Sequence, residues 1–337
     1  MTKLENRRVM LNARPVGVPG PDFFTIDTAP VDELKDGQFL VHNSFLSVDP
    51  AMRGWANDAP NYSPPVPVGA VMRAFAVGEI IESKHRDFTK GENVSGLFGW
   101  QRYAISDGSD VMRRNTDADP SPSLALGVLG LNGITAYFGL LDVCAPQAGE
   151  TVVVSTAAGS VGSCVGQIAK IIGCKTVGIA GGPEKVRVCL EEFNYDRALD
   201  YKNTPDIKAE LSDACPNGAD VYYDNTCGPI SDAVFEHLAI GARIVVCGTA
   251  AVQEWDPLPS GPRPHRQLLV NRARMTGFLV LDYQDRYAEA VDQLASWVRS
   301  GQISAREHIL DGMEHAPGAL QMLYRGENHG KLLIKVD

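Results

Sequence analysis

The chain is 337 residues long with an ordinary hydrophobic share of 44%, room for about two domains around a substantial core. Asp and Glu number 41 against 31 Lys and Arg, and the net charge of -10 is spread without a long block of either sign, so nucleic-acid and membrane partners are disfavoured by repulsion from phosphate. The seven cysteines, at 144, 164, 174, 189, 215, 227 and 247, form no C-x-x-C and fit buried thiols in a reduced, cytoplasmic protein better than a disulfide framework.

The amino-terminal MTKLENRRVM lacks the apolar core that a signal peptide needs, so export is not expected. QFLVHNSFLSV (38–48) and FAVGEIIES (75–83) are short extended runs punctuated by proline and glycine, and they predict a small β-rich domain. Residues 1–143 hold no cysteine and only two histidines, His42 and His85. The apolar segment 123–145 carries glycines, Asn132 and Asp142 and has no flanking Lys or Arg, which predicts a buried helix and not a membrane span.

From about residue 150 the pattern alternates between strand and helix. TVVVSTA (151–157) reads as a buried strand, and Val161, Val165, Ile168, Ala169 and Ile172 then fall on one helical face. KTVGIAGG (175–182) and the helix PEKVRVCLEEF follow, with proline at the favoured first helical position. ADVYYDNT (219–226), a helix over SDAVFEHLAIG (231–241) and a strand over ARIVVCGTA (242–250) continue the series. The prolines and Gly261 of 251–266 predict an irregular functional loop. RMTGFLV (274–280) resumes the sheet, and a helix over 283–300 ends at Gly301. The closing KLLIKVD is surplus to this series and is expected to return to the first domain. The fold expectation is α/β: a doubly wound parallel Rossmann sheet over 125–304, inserted in a β-rich domain made of 1–124 and 305–337.

The turn STAAGSVGSCVGQIAK (155–170) keeps two of the three fingerprint glycines, Gly159 and Gly162, with Ala157 in the first place. Glycines there let the backbone approach a pyrophosphate, and the helix they open, through Ser160 and Val161, offers free N–H groups and a positive dipole end. Gly166, one turn on, has the spacing of a helix-packing residue. An NAD-binding protein needs an acid at the end of the second strand to hold the ribose hydroxyls. Here Ala180, Gly181 and Gly182 fill that place, Lys185 and Arg187 follow, and Tyr201-Lys202 come after the third strand, so NADP is the expected dinucleotide.

AAGSVGS, GQIAK, AGGPEK, DYKN, DNTCG, VCGTA and GENHGKLLIKV occur in that order, with RPVGVPGPDFF and LSVDPAMRGW before them. Together they resemble the zinc-free medium-chain reductases that reduce alkenes conjugated to a carbonyl, the prostaglandin reductase, leukotriene B4 dehydrogenase and curcumin reductase group. The resemblance implies a GroES-like first domain, NADPH as cofactor, an enal or enone as substrate, hydride delivery to the β-carbon and a homodimer. Carried over, it implies that Gly159, Ser160, Val161 and Gly162 hold the pyrophosphate and that Lys185 and Tyr201 hold the 2′-phosphate. Asn225, Cys247, Gly248 and Thr249 would line the ribose and nicotinamide, Phe278, Leu279 and Val280 would meet the carboxamide, and Asn328 would reach in from the C-terminal segment. The group commonly continues its fifth strand as C-G-x-I-S-x-Y, whereas this chain reads CGTAAVQEW. Gln253 therefore stands in the place of that tyrosine and Trp255 becomes a candidate wall of the substrate pocket, while Tyr62 in NYSPPVPVGAVM is the candidate catalytic residue. A segment without cysteine before 144 supplies no zinc site of the alcohol-dehydrogenase kind. A quinone reductase and a catalytically silent NADPH-binding protein stay open as alternatives.

Overall fold

A computed structural model describes residues 4–59, 61–116, 121–252 and 257–337. Strands β1 (Glu5–Leu11), β2 (Phe24–Pro30), β3 (Phe39–Ser47), β4 (Ala76–Ser83), β5 (Asn93–Gly96), β6 (Tyr103–Ser106) and β7 (Val111–Asn115) come first, with helix α1 (Ala51–Ala56) between β3 and β4. The middle of the chain holds β8 (Thr151–Ser155), β9 (Lys175–Ala180), β10 (Arg197–Asp200), β11 (Ala219–Asp224), β12 (Leu238–Val246) and β13 (Arg274–Gly277). Its helices are α2 (Leu131–Phe138), α3 (Ser160–Ile172), α4 (Pro183–Glu191), α5 (Ile207–Ala214), α6 (Gly228–Phe235), α7 (His265–Asn271) and α8 (Tyr287–Arg299). Strand β14 (Glu307–Asp311), helix α9 (Ala316–Arg325) and strand β15 (Lys331–Lys335) close the chain. Two compact units result, Met1–Leu126 with Glu307–Asp337, and Gly127–Arg306.

In the first unit β1 and β2 form an antiparallel ribbon, and a larger sheet runs β14-β15-β3-β4-β5-β7 with β6 also paired to β3. The terminal strand β15 lies antiparallel to β3, so KLLIKVD does complete this sheet. Val9, Leu11, Phe39, Leu46 and Trp100 share one buried core with Leu320 and Ile334 from the chain's other end.

The second unit is one parallel sheet in the order β10-β9-β8-β11-β12-β13, the doubly wound arrangement. Val152, Val153 and Val154 are fully buried, as a central parallel strand covered on both faces requires. Val165, Ile168 and Ala169 on α3 are fully buried, and Gly173, at φ 94, ends the helix in the left-handed region. Gly166 has the packing role that its spacing suggests. A Cβ there would lie 2.1 Å from Cζ of Tyr195, whose buried hydroxyl donates to the Gly162 carbonyl at 2.7 Å.

Three boundaries differ from the sequence reading. The helix expected over 231–241 runs Gly228–Phe235, and β12 already begins at Leu238. Ala219 donates to the His237 carbonyl at 2.8 Å and Leu238 pairs with Ala219, so a non-local ladder overrides the helical pattern. The strand expected over 274–280 stops at Gly277, and Val280–Arg286 is a 3-10 turn, so α8 starts only at Tyr287. Segment 123–145 is broken into a 3-10 turn (Pro122–Leu126), α2 and a π-helical turn (Gly139–Cys144), and among the described residues no helix is long and apolar enough to cross a membrane.

Gly166→Ala tests the α3 contact. Alanine gains about 1 kcal/mol in helix propensity but overpacks Tyr195 at a cost of up to about 3 kcal/mol. A net loss, read as a lower urea midpoint with an unchanged slope, is expected.

Candidate functional site

The sheet order reverses between β8 and β11, and the loops that leave the carboxyl ends of these two strands diverge there. After β8 the left-handed residue of the turn is Thr156, at φ 51, so Ala157 need adopt no positive φ and the missing first glycine carries no strain. Ala157 is fully buried and its N–H donates to the Ile179 carbonyl at 3.0 Å. Its methyl faces Gly178, where a Cβ would come within 2.7 Å of it. Gly159 caps α3, its own N–H spent on the Thr156 carbonyl at 2.8 Å. No described side chain caps the helix, so the first-turn N–H groups of Ser160, Val161 and Gly162 are offered to a ligand. Gly162 is obligatory, since a Cβ would lie 2.3 Å from the Thr156 carbonyl oxygen.

At the end of β9 the backbone is left bare by Gly181 and Gly182, the latter at φ 98. A Cβ on Gly181 would meet the Tyr201 ring at 2.9 Å and the Lys202 Cε at 3.0 Å, so these two side chains lie over the glycine. Lys185 is close enough to Lys202 to feel its charge: burial first, then that repulsion, holds the Lys185 ammonium below a lysine's ordinary range. Among the described residues neither lysine is ion-paired to a carboxylate. Arg187, by contrast, is spent on Glu184 and Glu191, at 2.7 and 2.5 Å, and is no part of the site. The nearby acid, Asp200, is turned inward. It accepts from the Gly182 N–H (2.8 Å), the Lys202 N–H (3.0 Å) and the Asn203 amide (2.7 Å). Burial works to raise its pKa, but those hydrogen bonds outweigh burial and hold it low.

Behind the β8–β11 junction Asp224 is 1% exposed and accepts from Thr226 N, Cys227 N, the Tyr222 hydroxyl and the Ser231 hydroxyl, at 2.9, 2.9, 3.1 and 2.7 Å. That network fixes Asn225, whose N–H and side-chain amide both bond Ser155, at 2.8 Å each. Cys247 and Gly248 follow β12, their N–H groups donating to the Asp224 carbonyl at 2.8 and 3.1 Å. Burial pushes the Cys247 and Cys227 thiols up to about 11, so neither is a nucleophile at neutral pH. Phe278, bonded through its N–H to the Val246 carbonyl at 3.1 Å, leads Leu279 and Val280 off β13.

The second unit thus gathers Gly159–Gly162, Asn225, Cys247–Thr249 and Phe278–Val280 at the carboxyl ends of adjacent strands, and Lys185 with Tyr201 at the end of β9. Sequence reasoning named Lys202 only in passing; its signal was its place in DYKN. Asp200 was missed, because nothing local says where a carboxylate turns. In the first unit Tyr62 is 51% exposed, and Asn328 is buried with its amide donating to the Gly330 carbonyl at 2.7 Å. Gln253 and Trp255 lie outside the described residues.

Two family models match the chain, an N-terminal domain of oxidoreductase over residues 7–113 and a zinc-binding dehydrogenase over 160–296. The donor set does not fit the metal of that second description. Among the described residues no three His, Cys, Asp or Glu side chains converge as a zinc ion would need. The chain is 44% identical to a putative NADP-dependent oxidoreductase of Bacillus subtilis (strain 168), over 98% of each chain. It is 43% identical to the NADPH-dependent curcumin reductase of Escherichia coli (strain K12), covering 99% of this chain and 98% of that one. The solved structure of CurA from Vibrio vulnificus in complex with NADPH superposes with a TM-score of 0.92 at 39% identity, covering 98% of this chain and 99% of that one.

The lysine pair makes a thermodynamic prediction. A base whose folded pKa is depressed costs stability while charged, and that cost vanishes as the pH rises through the folded value toward a lysine's ordinary 10.5. Ligand-free Lys185→Met should therefore melt higher than the parent at neutral pH, with the gap closing as the solution becomes alkaline. Thermal melts across a pH series check the sign, and a variant that melts lower at neutral pH contradicts it.

Proposed function

We propose, from the premise that the chain belongs to the zinc-free medium-chain dehydrogenase/reductase family, that it is an NADPH-dependent reductase of carbon–carbon double bonds conjugated to a carbonyl. The observation that carries the cofactor is the end of β9, where Lys202 lies over bare glycine backbone, Lys185 stands within reach of its charge, neither lysine is ion-paired to a carboxylate among the described residues, and Asp200 is consumed internally. The NADP-dependent relatives support the same reading.

Lys185, Lys202 and Tyr201 would hold the 2′-phosphate, a charge-assisted contact in which a free ammonium counts for most. The N–H groups of Ser160, Val161 and Gly162, reached across Gly159, would hold the pyrophosphate. Asn225, Cys247, Gly248 and Thr249 would line the ribose and nicotinamide, with backbone groups of Phe278, Leu279 and Val280 toward the carboxamide and Asn328 contributing from the C-terminal segment. When bound, NADPH supplies the hydride that reaches the β-carbon of the enal or enone. The chain's remaining task is to place a donor at the carbonyl oxygen, where charge gathers, and a proton at the α-carbon; the Tyr62 hydroxyl is the candidate for that work.

We also assign a cytoplasmic, homodimeric state. All seven thiols are free. Strand β13 is an open sheet edge with its four residues exposed, among them Met275 (44% exposed), while Leu269 (78%) on α7 and Ile240 (71%) on β12 are exposed as well, and a second copy pairing there would cover the edge.

Steady-state assays with NADPH should give turnover of 2-alkenals and enones, and activity on a 1,4-quinone alone, or on neither, overturns the proposal. Lys185→Met should raise the KM for NADPH by about 10- to 100-fold, the equivalent of one lost charge-assisted bond of about 1.5–3 kcal/mol, and leave that for NADH nearly unchanged. Met275→Asp should halve the particle mass in light scattering; a parent that already runs as a monomer excludes the edge interface.

A further inference from the structure

Two sequence stretches, LSVDPAMRGW and GENHGKLLIKV, lie mostly outside the proposed cofactor contacts, yet the first unit brings them together around one buried charge. Lys331, at the start of β15, is 4% exposed. Its ammonium donates to Asp49 Oδ1 at 2.6 Å, to Ser47 Oγ at 2.6 Å and to the Val48 carbonyl at 3.1 Å, which uses all three of its N–H groups. The Ser47 hydroxyl donates in turn to the other oxygen of Asp49. A buried ion pair is an inefficient source of stability, because desolvation cancels most of the attraction and an apolar filling would serve as well. What it supplies is fixed geometry over three consecutive residues, and here those residues lead directly into α1.

Helix α1 is six residues long, too short to hold itself, so its position follows from its flanks. Tyr324 on α9 adds a second tie, its hydroxyl donating to the Pro50 carbonyl at 3.0 Å, and the Arg53 guanidinium lies 5.9 Å from the same ring. The loop bearing Tyr62 is seated on α1 at both ends. Gly54 leaves room for the Asn61 amide, which would sit 2.5 Å from any Cβ there, and the Val66 N–H donates to the Trp55 carbonyl at 2.7 Å. Tyr62 itself donates its N–H to the Asn61 side chain at 2.8 Å.

We propose that the Lys331–Asp49–Ser47 cluster is a clamp that sets the position of α1 and thereby of Tyr62, making Lys331 a positioning residue of the reaction. This rests on the reading of Tyr62 as the proton donor. It accounts for both stretches without giving either a direct role in chemistry.

The test is to replace the cluster with apolar filling, as Ser47→Ala, Asp49→Leu and Lys331→Met together, so that no buried charge is orphaned. A clamp that merely stabilises would be restored by this variant in both melting temperature and turnover. A positioning clamp gives a parent-like melting temperature, NADPH binding by fluorescence titration within about twofold of the parent, about tenfold faster amide exchange over 51–66, and a kcat lower by about 10- to 100-fold, as small misplacements of a reacting group produce. Parent-like exchange and kcat overturn the proposal. If the triple variant does not fold, Tyr324→Phe removes one hydrogen bond from the same segment, and faster exchange over 51–66 is expected from it; unchanged exchange counts against the clamp. Tyr62→Phe separates the two layers: unchanged kcat there removes the proton-donor reading, and the clamp is then judged on exchange alone.

Discussion

The constraint on which the nucleotide-binding turn depends is the distance between α3 and the residues that precede it. The Gly162 position has the Thr156 carbonyl oxygen 2.3 Å from where a Cβ would stand, and one turn later Gly166 has the Tyr195 ring at 2.1 Å. No side chain fits at either place, so the helix meets the turn's backbone at Gly162 and the Tyr195 ring at Gly166. This contact aims the open N-terminus of α3 across the carboxyl end of β8 instead of past it. Tyr195 acts as the spacer: it fills the notch at Gly166 and its hydroxyl holds the Gly162 carbonyl, tying the beginning of the helix to the segment before β10. The turn can then afford alanine in the first fingerprint position, because its single left-handed residue is Thr156.

Electrostatics separates the acids that shape the loops from the bases proposed to face a ligand. Asp224 and Asp200 each accept several hydrogen bonds from neighbouring backbone N–H groups, so their charge is consumed in shaping loops. Among the described residues Lys185 and Lys202 have no carboxylate ion pair, and burial together with the Lys202 charge makes the charged form of Lys185 costly, a cost that a bound anion would relieve. Arg187 shows the contrast within one helix turn, as its guanidinium is neutralised on both sides by glutamates. Proximity in sequence says a cation is available; only the placement of its carboxylates says whether it is free.

That distinction also sets how much was legible in advance. The parallel strands and α3 were readable because Val152–Val154 and the Val165, Ile168, Ala169 face carry periodicities that burial enforces locally. The end of the helix at Phe235 was not, because β12 begins where Leu238 meets Ala219, a pairing that no local window contains. The glycines at 181 and 182 were readable as a missing acid, whereas Asp200, 18 residues on from Gly182, became visible only when its carboxylate was found on the Gly182 N–H. The same holds for Lys331: its place in GENHGKLLIKV marks it as part of a strand, and only the fold sets it against Asp49, 282 positions earlier.

A net charge of -10 would seem to oppose a polyanionic dinucleotide. The opposition is weak where it matters, since at physiological ionic strength charges more than about 8 Å apart are largely screened. What a 2′-phosphate would sense is the first few ångströms, and at the end of β9 the described residues hold Lys202 and the Tyr201 ring over bare glycine backbone, with Lys185 near Lys202 and Asp200 accepting from the Gly182 N–H. A negative overall balance is therefore compatible with a site for one phosphate monoester. Selectivity at such a site would come from the placement of a few charges within a screening length, and the overall sign of the protein would have little part in it.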